Sequence, residues 1–361
     1  MKYLIPGASA LLAIAAHNNA VAHDVYADDH APIGVMADHA HKKGEIMFSL
    51  RAMHMEMEGN QIGTADIASD TIVTTVPNRF FGAPMQPPTL RIVPVRMRTD
   101  MIMAGAMWAP SDDVTLMMMG HYIEKEMDHI TYRGGAGTDR LGEFTTNPKG
   151  LGDTKVAALF PLLGHPGATD DIRNELTLKT GVNIPTGSTT QTDDILTPMG
   201  TNPTVRVPYM MQLGTGTWDF EPALTYKGRR GKLGFGVQGN ASIKLGTNDQ
   251  SYSFGDVYEG TAWASYRPAQ WVSLSGRVKA RTTGRVEGID PMIAGPVQTA
   301  NPDFQGGDRV DLIVGINMVG THGALAGHRL GVELGKAVHQ DLNGPQMAGD
   351  WMLTVGWQKA F

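Results

Sequence analysis

The 361-residue chain contains no cysteine, which excludes disulfide bonds and any thiolate-bound metal centre. It also lacks any stretch approaching the roughly 18 to 20 apolar residues that a membrane-crossing helix needs. The longest approach, 156–163, is too short and is broken by Pro161. Positive charge is not in excess. With a net charge of -6 there is no basic footprint, so nucleic acid is not an expected partner. Long helices are disfavoured by 44 Gly and 21 Pro. A mean hydropathy of -0.18 carries little information, because outward apolar and inward polar residues of a closed barrel average out.

What the chain does have is alternation. At the C-terminus, Trp351, Leu353, Val355, Trp357 and Phe361 share one parity, and Met352, Thr354, Gly356, Gln358 and Ala360 share the other. One face suits lipid and the other a polar interior. Lys359 breaks the apolar face near the strand end, where it can snorkel to the interface. At the other terminus, Met1-Lys2, an apolar stretch and Ala20-Val21-Ala22 read as a secretory signal peptide over 1–22, cleaved before His23. The expected localisation is the outer membrane of a Gram-negative-type bacterium, with membrane lipid and the barrel assembly machinery as partners.

About twelve alternating segments follow one another, and their connections alternate between short and long. The short ones lie near 109–113, 164–171, 227–232, 268–270 and 320–327; the long ones span roughly 59–96, 128–149, 188–208, 247–255, 288–305 and 341–347. The expected fold class is therefore all-β: a single antiparallel transmembrane β-barrel of about twelve strands over 44–361, both termini periplasmic. Residues 23–43, rich in His and Asp, are expected to be a periplasmic leader. Trp108, Phe160, Tyr226, Tyr266, Trp271 and Phe361 recur beside the short turns, as an interfacial girdle requires. The strand parities place Asp219, Glu221, Arg277, Lys279, Arg281 and Glu333 on the lumen side, with the two acids expected to face the three cations across a charged wall.

Methionine is abundant, with 22 residues, and its placement is informative. Met53 and Met55, Met101 and Met103, and Met117 and Met119 share the inward parity of three successive strands, predicting a Met patch in the lumen. Such a patch can be an adaptable apolar lining. Thioether sulfur also suits Cu(I), with His54 and His121 on the same strands, although His54 has lipid-side parity. In the leader, His23, His30, His39 and His41 lie among Asp24, Asp28, Asp29 and Asp38. A metal role for His23, His39, His41, His54 and His121 is one reading; a solvated linker is the other for the leader histidines. No cofactor is required, copper being the one possible metal. Catalysis is not expected: His339 has no identifiable acid or oxyanion partner, and no G-x-S-x-G occurs.

The segment Ala31-Pro32-Ile33-Gly34-Val35-Met36-Ala37-Asp38-His39-Ala40-His41-Lys42-Lys43-Gly44-Glu45, the Met-rich first strand, Ala109-Pro110-Ser111-Asp112-Asp113 and Gly150-Leu151-Gly152-Asp153-Thr154 together resemble the putative MetA-pathway of phenol degradation family of outer-membrane proteins. The resemblance spans most of the mature chain and implies a channel for passive uptake or efflux of small, apolar or aromatic solutes, distantly similar in role to FadL. It implies no enzymology. Copper handling through the Met/His-rich lumen and leader is the alternative, and an outer-membrane hydrolase the third. The loop 59–96, with five prolines and Phe80-Phe81, is expected either to constrict the lumen or to cap the surface.

Overall fold

The computed structural model describes residues 26–166 and 172–361. The expected signal segment 1–22 and His23 lie outside the described residues. Eleven long strands build the architecture: β1 (Ile46–Gly63), β2 (Ile92–Ser111), β3 (Val114–Tyr132), β4 (Thr154–Leu163), β5 (Ile172–Ile184), β6 (Ala223–Arg230), β7 (Leu233–Leu245), β8 (Val257–Ala269), β9 (Val272–Thr283), β10 (Gly307–Val319) and β11 (His328–Ala360). Each is antiparallel to the next, and β11 closes the ring onto β1, Met47 opposite Ala360 and Met55 opposite Met352. Closure leaves no long strand edge unpaired, which hydrocarbon demands.

The 33-residue β11 doubles back on itself. Residues 329–342 pair with β10 and residues 342–360 with β1. The two limbs lie side by side, tied by reciprocal Gln340–Gly349 bonds of 3.1 and 2.8 Å and by Lys336–Asp350 at 3.6 Å. Counting the limbs separately, the ring has twelve spans, as the sequence predicts.

Alternation sets the faces. Phe48, Leu50, Ile102, Leu116, Leu224, Val237, Leu274, Val278, Leu312 and Val314 are exposed on the outer wall, where lipid would cover them. Thr115, Thr177, Thr225, Gln238, Thr261 and Arg277, of opposite parity, are buried inside. At one end the strands are joined by tight connections, such as the two-residue turn at Gly231, whose φ of +61° suits glycine. Trp108, Tyr266, Trp271 and Phe361 are exposed at that end, forming the girdle.

The long connections at the other end pack into a second, loop-built core. Residues 59–96 form a cap, not a constriction. Helix α1 (Ser69–Thr75) buries Ile72 and Val73 against Val93, Ile130 and Tyr132 at the rim. Arg91 is wholly buried and donates to the carbonyls of Gly134, Gly137 and Arg133 at 3.0, 2.8 and 2.8 Å, locking 133–137 to the cap. Three loops and the first residue of β2 then share one apolar cluster: Ile92, Tyr209, Tyr252, Val286, Ile293 and Val297.

The segment before β1 departs from expectation. Residues 26–43 are not a solvated periplasmic leader; they lie inside the barrel and plug the end that carries the short turns. Ala27, Ala31, Ile33, Val35 and Ala40 are buried, as are Asp28, Asp29, His30, Asp38 and His41. No periodic element forms there, because the backbone bonds to the wall: Ala27 N to Gln270 O, Gly34 N to Glu333, His41 N to Thr115 Oγ1 and Lys43 N to Asp112. Ile33 seats between Gly331 and Gly356, where a Cβ on either would come within 2.6 Å of it. The segment is polar because the wall that receives it is charged, which is why composition alone suggests a linker.

Candidate functional site: a plugged lumen beneath an outer cavity

The lumen has two chemically different walls. On β1, β2 and β3 the methionines stand opposite one another across the ladders. Met47 faces Met107, which faces Met117; Met53 faces Met101; Met57 faces Met97, which faces Met127. Met352 of β11 extends the stripe beside Met55. At the plugged end Met47, Met107 and Met117 pack with Ala37 of the plug, Leu159 and Ala360. At the capped end Met97, Met127 and Met57 pack with Val207 and Met211 of the loop between β5 and β6. Between these contacts Met53, Met55, Met101, Met103 and Met117 are half-buried, and Met119 is buried. The methionine parity is thus inward, forming an unbranched, adaptable apolar stripe from plug to cap.

The rest of the ring is charged, but the expected facing of Asp219 and Glu221 with Arg277, Lys279 and Arg281 does not occur. All but Arg281 instead pair with groups on nearby strands. Asp219 binds Lys244 at 2.8 Å and Asn183 at 3.1 Å; Glu221 pairs with Lys155 and, at 3.9 Å, Lys179. Lys279 contacts Asp311 at 3.3 Å and Glu259 at 3.9 Å. Arg281 is exposed, with only a 3.3 Å bond to Thr283 among the contacts described. Arg277 holds Glu333 through two 2.9 Å bonds, and Glu333 in turn accepts Gly34 N of the plug at 2.6 Å. Cross-strand pairing wins because directly opposed side chains stand about 5 Å apart, far closer than the width of a lumen.

Charge also seats the plug. Arg229, fully buried, lies 2.8 Å from both Asp28 and Asp29. Arg173 reaches Asp29 at 3.1 Å, Arg267 reaches Asp28 at 3.4 Å, and Lys227 reaches Asp38 at 3.5 Å. The Arg229 and Arg267 guanidiniums stack 5.1 and 3.6 Å from the Tyr26 ring centre. Burial opposes ionisation of Asp29 and Asp38, but Arg229 and Arg173 for the first, and His39 and Lys227 for the second, prevail and hold both carboxyls below their ordinary value, Asp38 well below.

The histidines singled out from sequence divide. His39 and His41 meet in the plug with ring centres 4.8 Å apart, and His30 joins them 4.0 Å from His39. His54 is not a lumen group: as its parity implies, it lies on the outer face, bonded to Asp100 at 2.7 Å and near Glu56 at 3.3 Å and the Trp351 ring. His121 points inward against Gly152, opposite Met103 in the ladder. His129 is buried and stacked on Phe144 at 4.5 Å with an interplanar angle of 3°.

At the capped end sits a cavity of about 830 Å³, lined by Ile92, Phe144, Ile195, Pro208, Ile293 and Val297 among others. Three residues from three loops, Met85, Met199 and Met292, are its exposed apolar members, at 87, 70 and 64 % exposure. Val205, Arg206 and Pro208 line this cavity, while Val207 and Met211 of the same strap press on the Met stripe. Lys125 anchors the strap through the carbonyls of Met210 and Gln212 at 2.7 and 2.6 Å. One short strap therefore separates the cavity from the lumen. Sequence reasoning missed it, since its apolar residues lie in a loop without period.

The chain matches no protein-family model and no curated protein in sequence. Among solved structures it is similar to an outer-membrane channel from Pseudomonas putida F1, at 14% identity over 91% of this chain and 100% of that one, with a TM-score of 0.56. Looser likenesses are to a Pseudomonas aeruginosa FadL homologue (8% identity, 88% of this chain, 90% of that one, TM-score 0.42) and to the P. putida toluene transporter TodX (8%, 88%, 90%, TM-score 0.40). The first shares the barrel fold with this chain. The class that fold defines is the closed antiparallel β-barrel.

Proposed function

We propose that this protein is an outer-membrane channel for passive passage of small apolar solutes, aromatic ones included, exported by the signal peptide 1–22 and cleaved before His23. The observation that carries the reading is the apolar cavity of about 830 Å³ divided by the strap 205–211 from a methionine stripe that runs the height of the lumen. A polar solute would be met by ion pairs already satisfied by their strand neighbours; an apolar one meets thioethers that reshape around it. The resemblance to the phenol-degradation family agrees with that solute class. Membrane lipid and the assembly machinery are the proposed partners, and no catalytic group is proposed.

Uptake of a radiolabelled monoaromatic compound by cells with and without the protein, beside liposome swelling with sugars, tests the reading. Faster aromatic uptake with little sugar permeation supports it. Equal aromatic uptake with and without the protein, or free passage of sugars, rejects it. Copper handling is a second reading, favoured by Met103 and His121 standing opposite each other in the ladder. Calorimetry with Cu(I) on wild type and on a Met103→Leu, His121→Ala variant separates it: tight binding lost in the variant, with no solute flux, would replace the channel.

A further inference from the structure

The plug carries a side-chain group that neither sealing nor solute passage explains. His30, Asp38 and His39 each offer a ligand atom, and all three atoms lie within 4.8 Å of one another. They come from two turns of an irregular segment eight residues apart, brought together only because the plug folds back inside the barrel. The three residues are nearly enclosed: His30 and Asp38 are buried, and the His39 side chain is 13% exposed. His41 adds a third imidazole 4.8 Å from the ring of His39.

Two details fit a metal centre better than a packing contact. Asp38 Oδ1 bonds His39 Nδ1 at 2.9 Å, which settles the ring's orientation and assigns the proton to Nδ1, while His39 Nε2 is buried with no hydrogen-bond partner. His41 Nδ1 likewise lies 3.3 Å from a carboxylate, that of Glu45. A carboxylate that orients one imidazole nitrogen is the usual support of a metal-bound histidine, the role Glu45 has toward His41, while Asp38 lies close enough to His30 and His39 to share an ion with them. The partnerless, buried Nε2 of His39 destabilises the metal-free plug. The surrounding charge is mixed. Lys227 and Arg51 are the cations that face Asp38; Asp38, Glu45 and Glu175 are the anions that face His39.

We propose that His30, Asp38 and His39, with His41 adjacent, form a binding site for one divalent transition-metal ion of the Zn²⁺, Ni²⁺ or Cu²⁺ class, and that the bound ion pins the plug in the lumen. Two imidazoles and a carboxylate are borderline donors, which select this class over Ca²⁺ or Mg²⁺, whose preferred shells are all oxygen. The ion joins the two ends of the irregular segment, 30 and 38–39, as a clip would, so its removal frees the plug to rearrange. The site is separate from the Met stripe and does not depend on which solute the channel passes.

The test uses the full-length protein, purified in detergent and checked for barrel folding by its heat-modifiable migration on gels. Zn²⁺ and Ni²⁺ are titrated calorimetrically into wild type, His39→Ala, His30→Ala with His39→Ala, and His54→Ala. Wild type and His54→Ala are expected to bind one equivalent; both plug variants should bind at least tenfold more weakly while still folded. A folded wild type that takes up no ion, or a double variant that binds as wild type does, overturns the site. Binding at a site containing His23 would show as the second of these results. In planar bilayers, Zn²⁺ should lower or steady the wild-type ion conductance and leave His39→Ala unchanged, with chelator reversing the effect. Metal binding with no change in conductance or its fluctuation overturns the pinning role. Since neither readout involves an apolar solute, failure here leaves the channel assignment standing, and failure of solute uptake leaves the metal site standing.

Discussion

The methionine wall of β1–β3 and the charged wall of β4–β11 enclose the same lumen, yet they are built by different rules. On the first, each side chain tolerates a neighbour of almost any shape, and its exposed middle portion, Met53, Met55, Met101 and Met103, is half-buried with no strong partner. On the second, charges other than Arg281 are committed to a nearby strand or to the plug, as with Lys244–Asp219 and Arg277–Glu333–Gly34. The contrast teaches that a charged lumen can be structural. Its charges hold the plug, and under the proposed function the thioethers would leave a path.

The largest effect should come from breaking the charged wall where it holds the plug. Arg229→Ala strands Asp28 and Asp29 without their shared guanidinium, and removing one partner of a buried ion pair costs about 3 to 5 kcal/mol. The expected outcome is a folded barrel with a displaced plug and several-fold higher single-channel conductance. Unchanged conductance with normal folding would mean that apolar seating, Ile33 against Gly331 and Gly356, suffices.

Next in size is the methionine wall. Met55→Lys with Met101→Lys should cut aromatic uptake about tenfold, because an apolar solute would then have to displace solvated ammonium groups. Replacing Met53, Met55, Met101, Met103, Met117 and Met119 by Leu keeps approximate volume and apolar character, typically at under about 1.5 kcal/mol per site, and should retain uptake. If the Leu variant lost uptake as completely as the Lys variant, sulfur chemistry and not polarity would define that wall.

pH supplies a finer comparison between the walls. The plug carboxyls Asp29 and Asp38 have values lowered on folding, so the stability they contribute is fully present above the unfolded value near 4 and is lost as pH falls below it. Conductance should be level from about pH 5 to 8 and rise reversibly below about pH 4 as the plug loosens. A rise centred near pH 6.5 would point to histidine protonation instead. The smallest change is expected for Arg281→Gln. This exposed lumen cation has only a local bond, so the variant should shift ion selectivity modestly, by less than about twofold, and leave stability and aromatic uptake alone.

Much of the architecture was legible because a strand's faces are written in its own alternation. The inward parity of Met53, Met101 and Met117, the outward parity of Phe48 and Leu50, the short and long ends, and the turn at 341–347 inside β11 all follow from local pattern. The outward position of His54 followed from parity too. The candidate site was less legible. Loop 59–96 could be read as cap or constriction, and the strap 205–211, which packs on the methionine stripe, carries no period by which to recognise it.

By itself the sequence determined that this chain closes an antiparallel barrel, which side of each strand faces outward and where methionine lines the interior, because a period of two needs only neighbouring residues. The tertiary structure alone decided that residues 26–43 turn inward and plug the lumen, that Asp219 answers Lys244 and not Arg277, and that His30 meets Asp38 and His39. Those pairings depend on ring closure and on the lengths of strands far apart in the chain. A segment whose backbone bonds partly to the wall and otherwise only in isolated local turns carries no pattern of its own.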